Sequence, residues 1–419
     1  MKLNYLFLVL SAIAFSNINA EPLPEVKLYG RHTSTEVKSA LSYAKHMKDV
    51  ALKKYKFSKK VIEKASSEHV KDHGFHGNRD EHSSSKQSTT IIKDIQFDLS
   101  YYAKVLIGNQ KFNLLLDTGS SNIWVPSKNC TTASCRNHND YDLNKSPTFK
   151  KEGNLWSITY GTGSASGVTG KDNVKIGGFT AKKQIFGLAD NVSNDFLNLE
   201  SDGILGLAFD SLNTMDNQAP TVVSTLINQK TINPLFSFHL GRVSDFDDDS
   251  TFTLGGVDKT KFKGEISFNP VVKTPIIDTI AFWLINADDA SVNKKRLGFT
   301  GKKGLIDTGT SVILMPDDDA KKVHDQIPGS SFDPVNGVYI IPCDTKASVA
   351  FIFKGISYPL DPRDLILTPL DGTRCVSNIF PGFNFDGNND IWLLGTPFLK
   401  NVYSVFNVGK RSVGFARNK

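Results

Sequence analysis

Leu114-Leu-Leu-Asp-Thr-Gly-Ser-Ser-Asn-Ile-Trp124 returns in variant form as Gly304-Leu-Ile-Asp-Thr-Gly-Thr-Ser-Val-Ile-Leu314. In each copy an apolar run enters Asp-Thr-Gly and leaves through a hydroxyl pair into a second apolar run. A second echo follows each: Gly203-Ile-Leu-Gly-Leu-Ala-Phe209 after the first and Ile391-Trp-Leu-Leu-Gly-Thr-Pro-Phe398 after the second. Asp117 lies 89 residues before Gly206, and Asp307 lies 88 before Gly395. Two motifs in one order at one interval mark an internal duplication. The chain is therefore expected to form two similar lobes, each presenting one carboxylate.

A single Asp-Thr-Gly is an ordinary turn signal. Two copies in matched strand-turn-strand settings are more, because a charge at the end of a buried strand is costly unless it is stabilised or used. Glycine after the aspartate admits backbone angles closed to other residues. Thr118 and Thr308 can each offer a hydroxyl across the lobe interface. Ser120 and Thr310 can donate to the outer carboxylate oxygens.

These motifs resemble the pepsin-like aspartic proteases, and among them the fungal secreted and vacuolar pepsins. The resemblance covers nearly everything after about residue 87. It extends to Trp156-Ser-Ile-Thr-Tyr-Gly-Thr-Gly-Ser164, which matches the family's flap, to Phe398-Leu399, and to Phe252-Thr-Leu-Gly-Gly-Val-Asp258. It implies a mostly β, bilobal fold of two β-barrel-like lobes with the active cleft between them. The first lobe would run over 87–262 and the second over 263–419. Short runs of Val, Ile, Phe and Thr broken by Gly, Asn and Asp agree with β structure throughout. The predicted helices are few: Thr221–Gln229 and Pro316–Gln326, the latter opening on the acidic Asp317, Asp318 and Asp319.

The chain has a leader before these lobes. Met1 to Ala20 carries a lysine, an apolar run from Leu6 to Phe15 and a small-residue end, the pattern of a secretory signal. Ten apolar residues are too short to span a bilayer. From Glu21 to Lys86 there are 14 Lys and Arg against nine Asp and Glu, with six of the nine histidines. Removing these and Lys2 leaves 34 basic and 34 acidic residues, so the formal charge of +6 sits in the leader. A neutral body argues against nucleic acid as a partner. By resemblance, residues 21–86 are an inhibitory pro-segment whose lysine pairs with both aspartates. Lys53, Lys54 and Lys56 are the candidates, and the sequence does not choose among them. His69, His73 and His76 have a spacing that could hold a metal on a helix, but Gly74 and Gly77 weaken a helix there. They are read instead, with His82, as groups that gain charge on acidification. No dibasic pair occurs from Val61 to Asp94, which favours self-cleavage or a partner peptidase in maturation.

Four cysteines after a signal segment imply disulfides, and three pairings are open. The resemblance selects Cys130–Cys135 and Cys343–Cys375. Asn129, Asn144 and Asn191 stand in glycosylation sequons, the second followed by Pro147. Asp245 to Asp249 reads as a solvated acidic loop.

The resemblance implies acid endopeptidase chemistry without cofactor or metal. Asp117 and Asp307 would share a proton, since two facing carboxylates cannot both ionise easily; aspartic-protease dyads are the type case of that effect. The ionised member takes a proton from a water while the other polarises the scissile carbonyl. Tyr160 would sit on a mobile flap with its hydroxyl against Trp124. Gly119, Gly161, Thr162, Gly309 and Thr310 would bond the backbone of an extended peptide. Leu115, Phe196, Ile204 and Tyr160 would wall the pocket for the residue before the cut, with a preference for Phe, Leu or Met. The turn Ile107-Gly-Asn-Gln-Lys-Phe112 is shorter than the family's, and we expect it to alter a substrate-facing rim. The expected protein is a monomer sent outside the cell or to an acidic vacuole. The alternative is a catalytically silent peptide binder, but the aspartates, their glycines and the flap tyrosine are all present.

Overall fold

The computed structural model describes residues 34–67, 87–95, 98–161, 163–216, 218–245, 250–275 and 279–419, with side chains of the first segment described from Thr35 to Tyr55. The signal segment, His69, His73, His76 and His82, Thr162 and Asp247 to Asp249 lie outside these residues.

The duplication is visible as strand register. In the first half Gln110–Asp117 runs parallel to Gly203–Gly206, pairing Leu114 with Gly203 and Asp117 with Gly206. Ile123–Pro126 then packs antiparallel on the same partner, Ile123 opposite Leu205. In the second half Lys302–Ile306 runs parallel to Ile391–Leu394, pairing Ile306 with Leu394, and Ile313–Leu314 returns antiparallel with Ile313 opposite Leu394. Each aspartate thus stands where its strand leaves the sheet, one position beyond Leu116 or Ile306. Alternation does the rest: Phe112, Leu114 and Leu116 are buried in the core, whereas Leu115 points to the opposite face.

Around the first motif an eight-stranded sheet forms, in which Ser100–Ile107 pairs with Gln110–Asp117 and, through Leu106 and Ile107, with Gly163–Ile176. The extra pairing curls the sheet toward a barrel. A five-stranded sheet surrounds the second motif. A third, six-stranded sheet takes Ser88–Ile91, Thr251–Leu254 and Leu235–His239 from the first half, and Val402–Asn407 and Ser412–Asn418 from the second, with Phe262–Pro270 at its edge. Leu235 to Phe238 pairs with Ser404 to Asn407, so one hydrogen-bonded sheet ties the halves together. Val222–Asn228 is a helix capped by the Thr221 hydroxyl, and Asp317–His324 is another. Asp319 does more than start its helix. It is buried, accepts from Trp392 Nε1 at 2.7 Å and pairs with Lys302 at 2.7 Å.

The short turn is a two-residue hairpin with Gly108 and Asn109 both at positive φ, 53° and 66°, the conformation that a tight hairpin favours. A side chain at Gly108 would meet the Asp172 carboxylate at 2.2 Å. The turn lies at the far end of the strand from Asp117, seven residues or about 23 Å away at the usual rise. The expected effect on a substrate-facing rim finds no support in these contacts: the turn packs against Asp172 and Ser146, a full strand from Asp117.

The leader contributes a helix, Ser34–Ser67. Ala40, Ala44, Ala51 and Tyr55 are its buried stripe, at the spacings that place residues on one helical face. They pack against Ala208, Leu212, Phe282, Leu314, Phe383 and Phe385. No helix among the described residues is long and apolar enough to cross a membrane.

Candidate active site

Two loops meet at the centre. Thr118 N–H donates to Thr308 Oγ1 at 3.0 Å, and Thr308 N–H donates to Thr118 Oγ1 at 2.9 Å. Each hydroxyl then donates onward across the interface, Thr118 to the Ile306 carbonyl at 3.0 Å and Thr308 to the Leu116 carbonyl at 2.7 Å. Four bonds related by an approximate twofold fix the carboxylates, which are buried to within 1%.

Each aspartate is held by its own loop. Gly119 N–H donates to Asp117 Oδ1 at 2.9 Å, and Gly309 N–H donates to Asp307 Oδ1 at 2.9 Å. Ser120 donates to Asp117 Oδ2 at 2.6 Å, and Thr310 donates to Asp307 Oδ2.

Lys54 stands between them. Its Nζ is 2.8 Å from Asp117 Oδ1 and 2.8 Å from Asp307 Oδ2. It therefore breaks the twofold, meeting the oxygen beside Gly119 on one side and the oxygen beside Thr310 on the other. Tyr55 adds a hydroxyl to Asp307 Oδ2 at 2.7 Å. The carboxyls diverge accordingly. Burial pushes Asp117 up, Lys54 opposes this and the Asp307 charge adds to it, with a net rise. Burial also pushes Asp307 up, but Lys54, Thr310 and Tyr55 outweigh it and hold Asp307 below the usual carboxylate range. Burial depresses Lys54, yet the two carboxylates more than offset that and keep it charged.

The flap covers this arrangement. Strands Lys150–Tyr160 and Gly163–Ile176 close with Tyr160 opposite Gly163. The Tyr160 hydroxyl accepts from Trp124 Nε1 at 2.9 Å. At Gly161 a β-carbon would fall 1.6 Å from the Val50 carbonyl oxygen. Only glycine allows the flap tip to lie on the leader helix this closely. Leu115, Phe196, Ile204 and Tyr160 share one cluster with Trp124, Trp156 and Ile158, and Phe196 meets the Trp124 ring edge-on at 5.4 Å.

A profile described as eukaryotic aspartyl protease matches residues 100–418. The chain belongs to that family. It is 36% identical over 335 residues to a probable aspartic-type endopeptidase CTSD of Arthroderma benhamiae, a match covering 79% of this chain and 64% of that protein. It thus spans just under two thirds of the length of that relative. It is 37% identical to rhizopuspepsin of Rhizopus chinensis, covering 78% of this chain and 81% of that one. A probable vacuolar protease A of Arthroderma benhamiae is 34% identical, covering 78% and 81%.

Within this aspartyl protease framework the structure brings together every site residue named above except Thr162, which lies outside the described residues. Disulfides join Cys130 to Cys135 and Cys343 to Cys375. Asn129, Asn144 and Asn191 are exposed. Asp245 is engaged by Arg363 at 2.5 Å.

Sequence reasoning left Lys54 unchosen and missed Tyr55. A helical wheel carries the signal. At 100° per residue, Lys54 and Tyr55 fall within about 60° of the stripe centred on Ala51, whereas Lys53 falls opposite and Lys56 well to the side. Also missed were Phe282, Phe383 and Phe385, whose rings surround that of Tyr55 at 5.6, 5.8 and 6.0 Å. These residues are far apart in sequence, and no local period marks them.

Proposed function

We propose that this protein is the zymogen of an acid endopeptidase, with residues 21–86 acting as its intramolecular inhibitor. The observation that carries the reading is the single ammonium of Lys54, 2.8 Å from a carboxylate oxygen of each lobe. It fills the gap that an attacking water and a scissile carbonyl need. A cation taken out of water at that place requires both carboxylates to be present and ionised. Acid protonates them, the ammonium loses its partners, and the helix leaves.

With the gap open, Asp117 and Asp307 share one proton across it. The ionised member accepts a proton from a bound water as that water attacks the carbonyl carbon. The protonated member donates to the carbonyl oxygen. The tetrahedral diol then collapses with proton transfer to the leaving nitrogen. Ser120 and Thr310 hold the outer oxygens, and Thr118 and Thr308 keep the two carboxylates in register. The flap closes over the peptide and excludes water, with Gly119, Gly161, Thr162, Gly309 and Thr310 bonding the peptide backbone.

Leu115, Phe196, Ile204 and Tyr160 form the apolar wall for the residue before the cut, and Trp156 and Ile158 extend it. Phe282, Phe383 and Phe385, which now hold the Tyr55 ring beside Asp307, receive a large side chain after the cut. Cleavage is therefore favoured between large apolar residues. The protein enters the secretory pathway through residues 1–20 and acts as a monomer outside the cell or in an acidic vacuole, with Asn129, Asn144 and Asn191 as glycan sites.

The test is acidification of the purified precursor to pH 4 with a quenched Phe-Phe peptide, following mass and cleavage together. Loss of roughly the first 85 residues with pepstatin-sensitive cleavage, both absent in Asp117→Asn, supports the reading. A shortened, folded protein inactive on every peptide pool would instead make it a silent peptide binder.

A further inference from the structure

Away from the dyad, beside the shared six-stranded sheet, lies a cavity of about 370 Å³. Arg242, Lys263, Lys400 and Arg417 line it with Asp361 and Asn418. The acids there are already engaged. Asp364 pairs with Arg242 at 2.6 Å and with Lys400 at 2.8 Å, Asp98 pairs with Lys400 at 3.3 Å, and Asp361 pairs with Arg363 at 2.8 Å. Lys263 and Arg417 have no acid partner among the described residues. They are register partners on adjacent antiparallel strands, each directly opposite the other. Like charges in that relation destabilise a sheet, and a bound anion between them would reverse the sign.

We propose that this cavity binds a small phosphate ester. The Lys263 and Arg417 cations take the oxyanion, since guanidinium and ammonium groups both suit phosphate oxygens. The volume lies within the range of small-molecule sites and exceeds what a bare oxyanion needs.

The probe is glucose 6-phosphate, added to the full-length precursor at pH 6.5, with glucose, orthophosphate and sodium chloride at matched ionic strength as controls. Binding is read by calorimetry and by thermal unfolding. The expected result is a saturable rise in melting temperature with glucose 6-phosphate, binding at least fivefold weaker with orthophosphate, and no effect of glucose. Lys263→Gln and Arg417→Gln are each expected to weaken binding about tenfold. Without ligand, neither should melt below the parent, because the repulsion is relieved. Three results would overturn the proposal: no saturable binding of glucose 6-phosphate, equal binding of orthophosphate, or binding by both variants unchanged from the parent.

Discussion

Thr118 and Thr308 exchange backbone N–H to hydroxyl bonds across the lobe interface, at 3.0 and 2.9 Å, and each hydroxyl reaches the strand that carries the other lobe's aspartate. The two loops are therefore one mechanical unit. Thr118→Val and Thr308→Val each keep shape and remove a buried hydroxyl that both accepts and donates. Each should cost about 1–3 kcal/mol of stability. Since the grip is symmetric, the two losses should be similar, and kcat should fall more than KM changes. Denaturant unfolding and peptide kinetics on each variant check this. A loss confined to one variant would contradict the symmetry.

Lys54 carries the block and Lys53 does not. Lys54→Met leaves two buried carboxylates without their cation, so the precursor should cleave peptide at pH 6, where the parent is silent. Lys53, exposed on the same helix, can become Met without effect. Tyr55→Phe removes one hydrogen bond to a charged oxygen, worth about 1.5–3 kcal/mol, and should give an intermediate leak. Initial rates before any change in mass separate a loosened leader from a cleaved one.

Acid release has a definite sign. Asp307 is held below its ordinary value of 3.8 by Lys54, Thr310 and Tyr55 against the opposing effect of burial. A depressed carboxyl contributes stability that is complete above the ordinary value and is lost as pH falls through the depressed one. Leader docking should therefore hold above pH 4 and weaken progressively below it. Hydrogen exchange of the Ala40–Tyr55 segment in the intact precursor, read before any change in mass, would reveal the opposite slope if the argument were wrong.

His324 sets a second pH dependence, this one in the fold. Burial pushes it down from 6.5 to about 4, against its bond to the Ala320 carbonyl. It stacks on Tyr339 with ring centres 3.8 Å apart. The unfolded chain binds the proton more readily, so stability is full above pH 6.5 and declines as pH falls toward 4. A shift of that size corresponds to about 3 kcal/mol. His324→Gln should flatten the decline, although it loses the stacking at all pH values. Unfolding free energies at pH 7, 5.5 and 4 test the slope separately from the offset.

Tyr160→Phe leaves the Trp124 indole N–H without its acceptor at the flap. Loss of that bond should lower kcat/KM by about tenfold, corresponding to roughly 1.4 kcal/mol. A fall confined to KM would mean the bond serves binding alone.

The duplication and the two aspartates were legible in the sequence because each rests on local order, whereas the clustering of Tyr160 with Leu115, Phe196 and Ile204 was expected from the resemblance. Asp-Thr-Gly is a turn whose neighbours fix its hydrogen bonds, and alternation puts Leu115 opposite Leu114 and Leu116 in any strand. The leader was legible as a charged, helical segment, and its wheel already favours Lys54. What local order cannot supply is the partner across a long loop. That Tyr55 lies among Phe282, Phe383 and Phe385, that the short turn at Gly108 packs against Asp172, and that Lys263 opposes Arg417 all depend on how distant strands register. Register is decided when whole apolar faces are buried together, a choice made by the packed molecule and not by any stretch of it.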